Sequence, residues 1–351
     1  MEQIVSQPLN DSPVRPTSSE PTTPRFRRRE ALSGIATLIA QRLAFGVLVL
    51  VAITYLSFLG LAMAQGLAFQ PALARAAWKT TTYLARLAQG NLGLSTAGSI
   101  TLPVAEVLPP TLSRSLGLLA ATLLIATLAG VTLGTWAARH RHSHWSLLTL
   151  LASITGVSVP TFFAALLFQL AMIRWARAFG HPLLPLTGFG WDQHLILPAL
   201  VLAARPIAQI ARLTFVSLND ALEQDFVRTA HSKGLRPHLV MSRHVLRNAA
   251  IPILTTVGTS LRFSLSSLPV VEFFFGWPGL GLTLLKAISR QDDNLTVALL
   301  LCLGALFILV NLLLDIGYRL IDPRLREATA HIGERENALE RVKSLLVGLR
   351  D

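Results

Sequence analysis

The sequence predicts an all-α integral membrane protein with six transmembrane helices. Of its 351 residues, 52% are hydrophobic and only 14% are charged, which is too apolar for a soluble globular protein of this size. Windows of about 20 apolar residues with few charges recur along the chain, and a helix of that length crosses a hydrocarbon core of about 30 Å. A transmembrane strand would need only about 10 residues, so we expect the spans to be helices.

The predicted spans are separated by connections of unequal length. Their approximate bounds are 43–64, 113–137, 147–173, 195–218, 250–275 and 296–320. The first apolar run is too long for the hydrophobic region of a signal peptide, and no suitable cleavage site follows it. We therefore expect it to be a retained span.

Three regions are expected along the chain. Residues 1–30 are rich in Pro, Ser and Thr and end in a run of Arg, which predicts a disordered, basic cytoplasmic tail. Residues 31–326 form the predicted transmembrane domain, with a first outer loop at about 65–112 and a long inner loop at about 219–248. Residues 327–351 form a charged cytoplasmic C-terminal extension, to which we assign no function.

The distribution of basic residues predicts the orientation. Arg and Lys concentrate in alternate connections, which the positive-inside rule assigns to the cytoplasm, so both termini are expected inside. The net charge of +12 is then a consequence of topology, and no nucleic-acid partner is expected.

The inner loop at 219–248 is patterned as two helices around Gly234. Asp220 and Glu223 resemble a capping pair, and Gly234 can take the left-handed conformation that ends a helix. Pro237 suits the first turn of a second helix that leads into the fifth span. An apolar stripe at helical spacing is predicted for the first helix, formed by Leu222, Phe226 and Ala230.

This loop also carries a family resemblance. The segments 224–235 (QDFVRTAHSKGL) and 243–252 (RHVLRNAAIP) resemble the cytoplasmic EAA loop of the permeases of dipeptide, oligopeptide and nickel ABC importers. Thr229, Ala230 and Gly234 match the small residues and the glycine of that motif. Arg228 stands where the general motif has an acidic residue, a departure typical of the peptide and nickel branch.

The resemblance covers about residues 85–326. Further matches, in the family's order, are 90–95 (GNLGLS), 195–200 (LILPAL), 272–281 (EFFFGWPGLG) and the stretch from Asn311 to Arg324. One expected element is missing: residues 64–67 (AQGL) do not provide the Pro-Gly-Asp-Pro turn that usually follows the first span. This departure leaves the substrate class open among peptides, nickel and heme-like cargo.

The resemblance implies a type I ABC importer permease-like fold with a cytoplasmic coupling helix, in the bacterial inner membrane. The implied partners are a second homologous permease, ABC ATPase subunits, an extracytoplasmic solute-binding protein and the lipid bilayer. The chain itself is expected to hydrolyse no ATP, since it lacks a P-loop, and to need no cofactor. The residues expected to couple to the ATPase are Asp225, Phe226, Arg228, Thr229, Ala230, Lys233, Gly234, His244 and Arg247.

Within that set, we expect Phe226, Ala230 and Gly234 to make the central contacts and Arg228 and Lys233 to be rim charges. The alternative is an ordinary basic connection between two spans. His140, His142 and His144 alternate in another short loop, but no carboxylate or cysteine accompanies them and no metal site is expected.

Two charged residues in apolar spans are candidates for the translocation pathway, Arg205 and Glu272. Arg205 precedes Pro206, which could break the helix and expose backbone carbonyls to a cavity. The alternative for Arg205 is burial with a carboxylate partner. Two other function classes were weighed: an ion-coupled secondary transporter needs more intramembrane carboxylates than the sequence offers, and a membrane-bound enzyme would need a catalytic motif.

Overall fold

The structure, a computed structural model, describes residues 24–95, 101–141 and 143–321. The helices in chain order are α1 (Pro24–Ala64), α2 (Phe69–Ala88), α3 (Val104–Arg139), α4 (His144–Ser158), α5 (Thr161–Phe179), α6 (Gln193–Leu222), α7 (Asp225–Ser232), α8 (Pro237–Leu239), a π-helix (Val240–Val245), α9 (Leu246–Phe275), α10 (Leu280–Ser289) and α11 (Asp293–Ile321). A two-stranded antiparallel sheet, β1 (Leu94–Ser95) and β2 (Leu102–Pro103), pairs Leu94 with Pro103.

The chain divides into two compact units, residues 1–44 and 45–351. The first unit is helical over its described part, from Pro24 onward. The predicted tail therefore ends too late: residues 24–30 are helical, because proline suits a first helical turn and Arg, Glu and Ala favour helices. Residues 1–23 and the predicted C-terminal extension lie outside the described residues.

Helices long and apolar enough to cross a membrane are present at each predicted span. Five qualify alone within the described residues, and a bent pair brings the total to six. The five are Ile39–Ala64, Val104–Arg139, Thr161–Phe179, Gln193–Leu222 and Asp293–Tyr318, and the bent pair joins Pro237–Phe275 to Leu280–Ser289 at 68°. The predicted all-α, six-span class is confirmed.

The third predicted span, 147–173, is divided in the structure. Helix α4 ends at Ser158 and α5 begins at Thr161, with Pro160 as the extended N-cap residue between them. Proline has no N–H to donate and disfavours a helical conformation in the residue before it, which ends α4. The apolar composition runs through this break, so the window alone did not reveal it.

The predicted first outer loop, 65–112, contains regular structure. It holds the 20-residue helix α2 and the small sheet, and α3 begins at Val104, earlier than predicted. The buried face of α2, Ala72, Ala76, Thr80 and Tyr83, packs toward the ends of α1 and α11. Burial raises the pKa of Tyr83 to about 12, although the nearby Arg86 opposes the shift.

The N-terminus of α11 anchors the connection between α1 and α3. Asp292 accepts a hydrogen bond from the Leu295 N–H at 3.0 Å and another from the Ser95 hydroxyl at 2.6 Å. Asp293 forms an ion pair with Lys79 of α2. The α1–α3 connection is thus tied to the last span by polar contacts in addition to apolar packing.

The core of the membrane domain is formed where α3 and α6 approach closely. Gly134 of α3 faces α6, and a Cβ there would lie 2.5 Å from the carbonyl oxygen of Ala211. A Cβ at Gly130 would lie 2.7 Å from the Ile210 side chain. Small residues allow such close helix contact within membranes, where dispersion rather than the hydrophobic effect drives packing.

Candidate functional site

Helix α7 ends in a Schellman motif at Gly234. Gly234 has φ +76°, its N–H donates to the His231 carbonyl at 2.9 Å, and the Leu235 N–H donates back to Ala230 at 3.2 Å. A side chain at Gly234 would meet no atom within 4 Å, so the requirement for glycine comes from backbone conformation alone. The predicted left-handed turn is confirmed.

The buried face of α7 differs from the predicted stripe. Val227 and Ala230 are 4% and 5% exposed and pack in an intramolecular cluster with Leu218 of α6 and Val245. Leu222 belongs to α6, since that helix continues past the predicted loop start. Ala230 therefore supports α7 from within the chain instead of lying on its outer surface, which corrects the predicted central contact.

The start of α7 also differs from the prediction. Asp220 lies inside α6 and caps nothing, whereas Gln224 is the N-cap residue of α7 and makes no side-chain capping bond. Asp225 occupies the first turn, where an acidic side chain interacts favourably with the helix dipole. Residues 220–222 were assigned to the wrong helix, because Asp220 and Glu223 resembled a capping box.

The outer surface of α7 is polar and mainly basic. Asp225, Arg228, Thr229 and Lys233 are exposed, as is Gly234. Arg228 lies 3.8 Å from Asp225, but both side chains are more than 80% exposed, so this ion pair contributes little to stability. The positive charge on this surface remains available to a partner.

A groove of about 950 Å³ lies beside α7. Its lining residues are Phe226, Ser242, Arg243, His244, Arg247 and Asn248. Phe226 is half-buried, and His244 and Arg247 are exposed. The structure thus brings together three of the predicted coupling residues on one concave, basic surface, although they are up to 21 positions apart in the sequence.

The segment after Gly234 is continuous with the fifth span. Pro237 occupies the first turn of α8, and the helical backbone then passes through the π-helix at Val240–Val245 into α9 without a loop. The predicted second helix leading into the span is confirmed, whereas the π-helix was not predicted. A π segment adds one residue to the turn and often occurs at functional positions.

Glu272 lies near the C-terminal end of α9 and is fully buried. One carboxylate oxygen accepts hydrogen bonds from the N–H groups of Gly281 and Leu282, at 2.6 Å and 3.1 Å, and the other accepts from the Ser115 hydroxyl. The same hydroxyl accepts from the Leu280 N–H at 2.8 Å. Glu272 and Ser115 thus accept hydrogen bonds from most of the N–H groups in the first turn of helix α10 that have no partner within the helix.

This arrangement gives Glu272 a structural role in the bend between α9 and α10. A Cβ at Gly279 would lie 2.1 Å from the carboxylate, so only glycine allows the chain to pass there. The carboxylate faces helix α10 and α3, and its acceptors are occupied. Glu272 thus accepts hydrogen bonds at the N-terminus of a neighbouring helix, and its predicted place in the pathway stays a prediction.

An aromatic cluster on the same side was missed by the sequence analysis. Trp277 is fully buried, its indole N–H donates to the Arg114 carbonyl at 3.1 Å, and its ring lies edge-to-face against Phe189 and Trp191. The Arg114 guanidinium lies 4.7 Å from the Phe189 ring centroid. The contacts join three distant segments, and the only signal in the sequence was Trp277 within the 272–281 motif.

Arg205 lies within α6 and is half-buried. Its guanidinium carbon is 4.0 Å from the ring centroid of Phe263, and its Nε atom is buried without a hydrogen-bond partner. Helix α6 continues unbroken through Pro206, so the predicted break is wrong. Arg205 nevertheless lines a cavity of about 220 Å³ beside the α4–α5 break.

Comparisons with known proteins cover up to 70% of the chain. Residues 130–327, more than half of it, match the family described as "Binding-protein-dependent transport system inner membrane component". A putative peptide permease protein of Brucella suis is 36% identical over 250 residues, covering 70% of this chain and 78% of the relative.

Two further relatives carry more specific descriptions. The di/tripeptide transport system permease protein of Pseudomonas aeruginosa is 36% identical over 269 residues, covering 70% of this chain and 79% of that protein. The dipeptide transport system permease protein of Escherichia coli is 33% identical over 270 residues, with the same coverage. These descriptions favour a permease over the ion-coupled transporter that the sequence analysis weighed.

Proposed function

Because the chain belongs to the binding-protein-dependent transport system inner membrane components, we propose that it is the permease of an ATP-driven peptide importer and forms half of its translocation pathway. As a member of that family it is a multi-pass inner membrane protein and a non-catalytic component. Its proposed partners are an extracytoplasmic binding protein, ABC ATPase subunits that supply the energy, and a second, homologous permease.

The observation that carries the coupling role is the arrangement of α7, Gly234 and the helix that begins at Pro237. An exposed basic helix is held against the chain by Val227 and Ala230 and ends in a fixed turn. The backbone then runs as one helix from Pro237 to Phe275. A force applied to α7 would therefore reach the membrane-spanning segment without passing through a flexible loop.

The residues proposed to contact the ATPase are those on the outside of this arrangement. Phe226 supplies an apolar anchor at the edge of the groove, and His244 and Arg247 supply polar contacts from its other wall. Arg228 and Lys233 are rim charges, which affect association rate and orientation more than affinity. An acidic, apolar-centred cleft on the ATPase would be complementary to this surface.

The orientation follows from the same proposal. An ATPase is accessible only from the cytoplasm, so α7 and the groove face the cytoplasm, and both termini lie on that side. Helix α2, the small sheet and the α9–α10 bend then face outward, toward the binding protein. The substrate is proposed to be a small peptide because the named relatives are peptide permeases.

The test is purification of the tagged chain from its native host in mild detergent, followed by identification of the co-purifying proteins and measurement of ATPase activity. We expect a second permease and ATP-hydrolysing subunits. Recovery of the chain alone, under conditions in which a known ABC importer of the same host stays intact, would count against the proposal.

Variants then test the coupling turn. Gly234→Val places a β-branched residue at φ +76°, which costs about 1–2 kcal/mol or more in the left-handed region. We expect the complex to assemble but ATP-dependent uptake of a labelled dipeptide to fall by at least about 5-fold. This is the factor by which about 1 kcal/mol of backbone strain shifts the equilibrium away from the left-handed turn. Gly60→Val is the matched control, since a side chain there meets no atom within 4 Å.

A further inference from the structure

Arg205 lies deep within the membrane-spanning part of the chain. Helix α6 runs from Gln193 to Leu222, which places Arg205 about 18 Å along the helix axis at a rise of about 1.5 Å per residue. A cation at such a depth is costly unless it faces water, an anion or an aromatic ring. Its surroundings therefore indicate what it is for.

A second arginine within the spans has an internal counter-charge. Arg262 of α9 lies 3.5 Å from the Asp315 carboxylate of α11. Arg205 has no carboxylate within ion-pair distance among the residues that the structure describes, and its Nε has no acceptor. Within the described part of the chain, one of these two arginines is thus paired with a carboxylate and the other is not.

Phe263 covers one face of the Arg205 guanidinium at 4.0 Å. This contact stabilises the cation in a dehydrated setting and fixes the plane of the group. It leaves the edge of the guanidinium, where the N–H donors lie, free to bind a planar anion such as a carboxylate through two parallel hydrogen bonds. Phe263 is therefore a positioning residue for Arg205.

The cavity beside Arg205 measures about 220 Å³. It lies where the third span is interrupted at Pro160, and its lining is otherwise formed mainly by small and apolar residues: Gly156, Val159, Thr161, Ala164, Phe168 and Ala204. The Thr161 hydroxyl donates to Ser267, at 3.4 Å. The volume corresponds to about seven waters at about 30 Å³ each, enough for one end of a short peptide.

We propose that Arg205 binds the C-terminal carboxylate of the peptide as it passes through the membrane. This proposal rests on the proposed function. In the empty state the Phe263 ring stabilises the guanidinium, and in the loaded state the carboxylate adds a charge-assisted contact that is released when the peptide leaves. An arginine without a fixed carboxylate partner suits a transient site, because no internal ion pair has to break before the substrate binds.

The chain allows a direct test because Cys302 is its only cysteine. In a Cys302→Ala background, Arg205→Cys removes the cation and introduces a reactive thiol. We expect ATP-dependent uptake of labelled Ala-Ala into membrane vesicles that contain the native complex to fall by at least about 10-fold. This factor corresponds to the loss of a charged hydrogen bond that contributes about 1.5 kcal/mol. Treatment with 2-aminoethyl methanethiosulfonate restores a positive charge and is expected to restore uptake.

Two readouts separate carboxylate binding from a structural role. Methyl methanethiosulfonate, which adds a neutral group, is expected not to restore uptake, and saturating Ala-Ala is expected to slow modification of the introduced thiol. Arg205→Lys, which keeps the charge but loses the planar fork, is expected to retain intermediate uptake. Rescue by the neutral reagent, or modification at the same rate with and without Ala-Ala, would overturn the proposal.

The controls distinguish this proposal from the one on which it rests. Arg212→Cys removes an exposed arginine further along α6 and is expected to keep uptake within about 2-fold of the parent, since surface substitutions have small effects. The Cys302→Ala parent with Arg205 intact must take up Ala-Ala. If it does not, the proposed function fails and the carboxylate site fails with it; if it does and Arg205→Cys transports equally well, only the carboxylate site is refuted.

Discussion

Substituting Glu272 tests whether a buried carboxylate in a transport protein serves the fold or the pathway. Glu272→Ala leaves three buried donors without an acceptor, the Ser115 hydroxyl and the N–H groups of Gly281 and Leu282. Each buried donor left without an acceptor costs about 1–3 kcal/mol, so the three together should cost at least about 3 kcal/mol. Glu272→Gln keeps an acceptor oxygen for the two N–H groups and can donate to Ser115, so we expect a loss of only about 1–2 kcal/mol.

The assay is thermal unfolding of the purified chain in one detergent at a fixed scan rate. At about 2–4 °C per kcal/mol, Glu272→Ala should lower the unfolding temperature by at least about 6 °C, and Glu272→Gln by clearly less. Glu106→Ala, which removes an exposed carboxylate from the first turn of α3, should change it by no more than a surface substitution does. Loss of transport in both Glu272 variants with unchanged unfolding temperatures would refute the structural role.

Two further predictions concern packing and electrostatics. Gly134→Leu forces a side chain against α6, because a Cβ at this position would lie 2.5 Å from the Ala211 carbonyl oxygen. We expect the free energy of unfolding to fall by about 3 kcal/mol or more, whereas Gly60→Leu should not lower it. Unchanged thermal unfolding of Gly134→Leu would contradict this close packing. A double-mutant cycle of Lys79→Met and Asp293→Asn, measured by the same unfolding assay, should give a coupling energy of at most about 1 kcal/mol, because both side chains are more than a fifth exposed. A value well above this would mean that the ion pair is more desolvated than the structure indicates.

Features set by local chemistry were predictable from the sequence. Apolar windows located all six spans, because a lipid-facing helix has to be apolar along its length. Gly234 and Pro237 marked a helix end and a helix start, since each has a conformational preference that acts within a few residues. The family resemblance then ordered these elements, and the family match bears it out.

Features that depend on distant contacts were not predictable. Glu272 is separated from Ser115 by 157 positions, so no local pattern could indicate that its carboxyl group accepts hydrogen bonds at the start of helix α10. Ala230 matched the motif, but which side of α7 faces the chain depends on Leu218 and Val245, which belong to other elements. Ala230 was predicted on the outward face because the sequence pattern identifies the apolar face of a helix but not the element against which that face packs.

Two differences had local signals that were given too little weight. Pro160 interrupts the third span, and the apolar residues on both sides obscured a helix break that proline commonly causes. Helix α2 has the length and spacing of an amphipathic helix, but its composition is not that of a membrane span, so it was predicted as part of a loop. The π-helix had no compositional signal, since it differs from an α-helix only in its hydrogen-bond register.

The close contact of α6 with its neighbours has a consequence for biogenesis. Its most apolar window is 56% buried within the chain, against 28% or less for the other four single-helix spans, and it carries Arg205 and two prolines. Such a segment gains little from lipid alone, because its surface is shaped to meet protein. Helix α3, which leaves the ribosome earlier, offers the glycines against which α6 packs. Membrane insertion of α6 would then be assisted by a helix that has already entered the bilayer, and a fault in α3 would first be seen as a failure to integrate the segment that follows it.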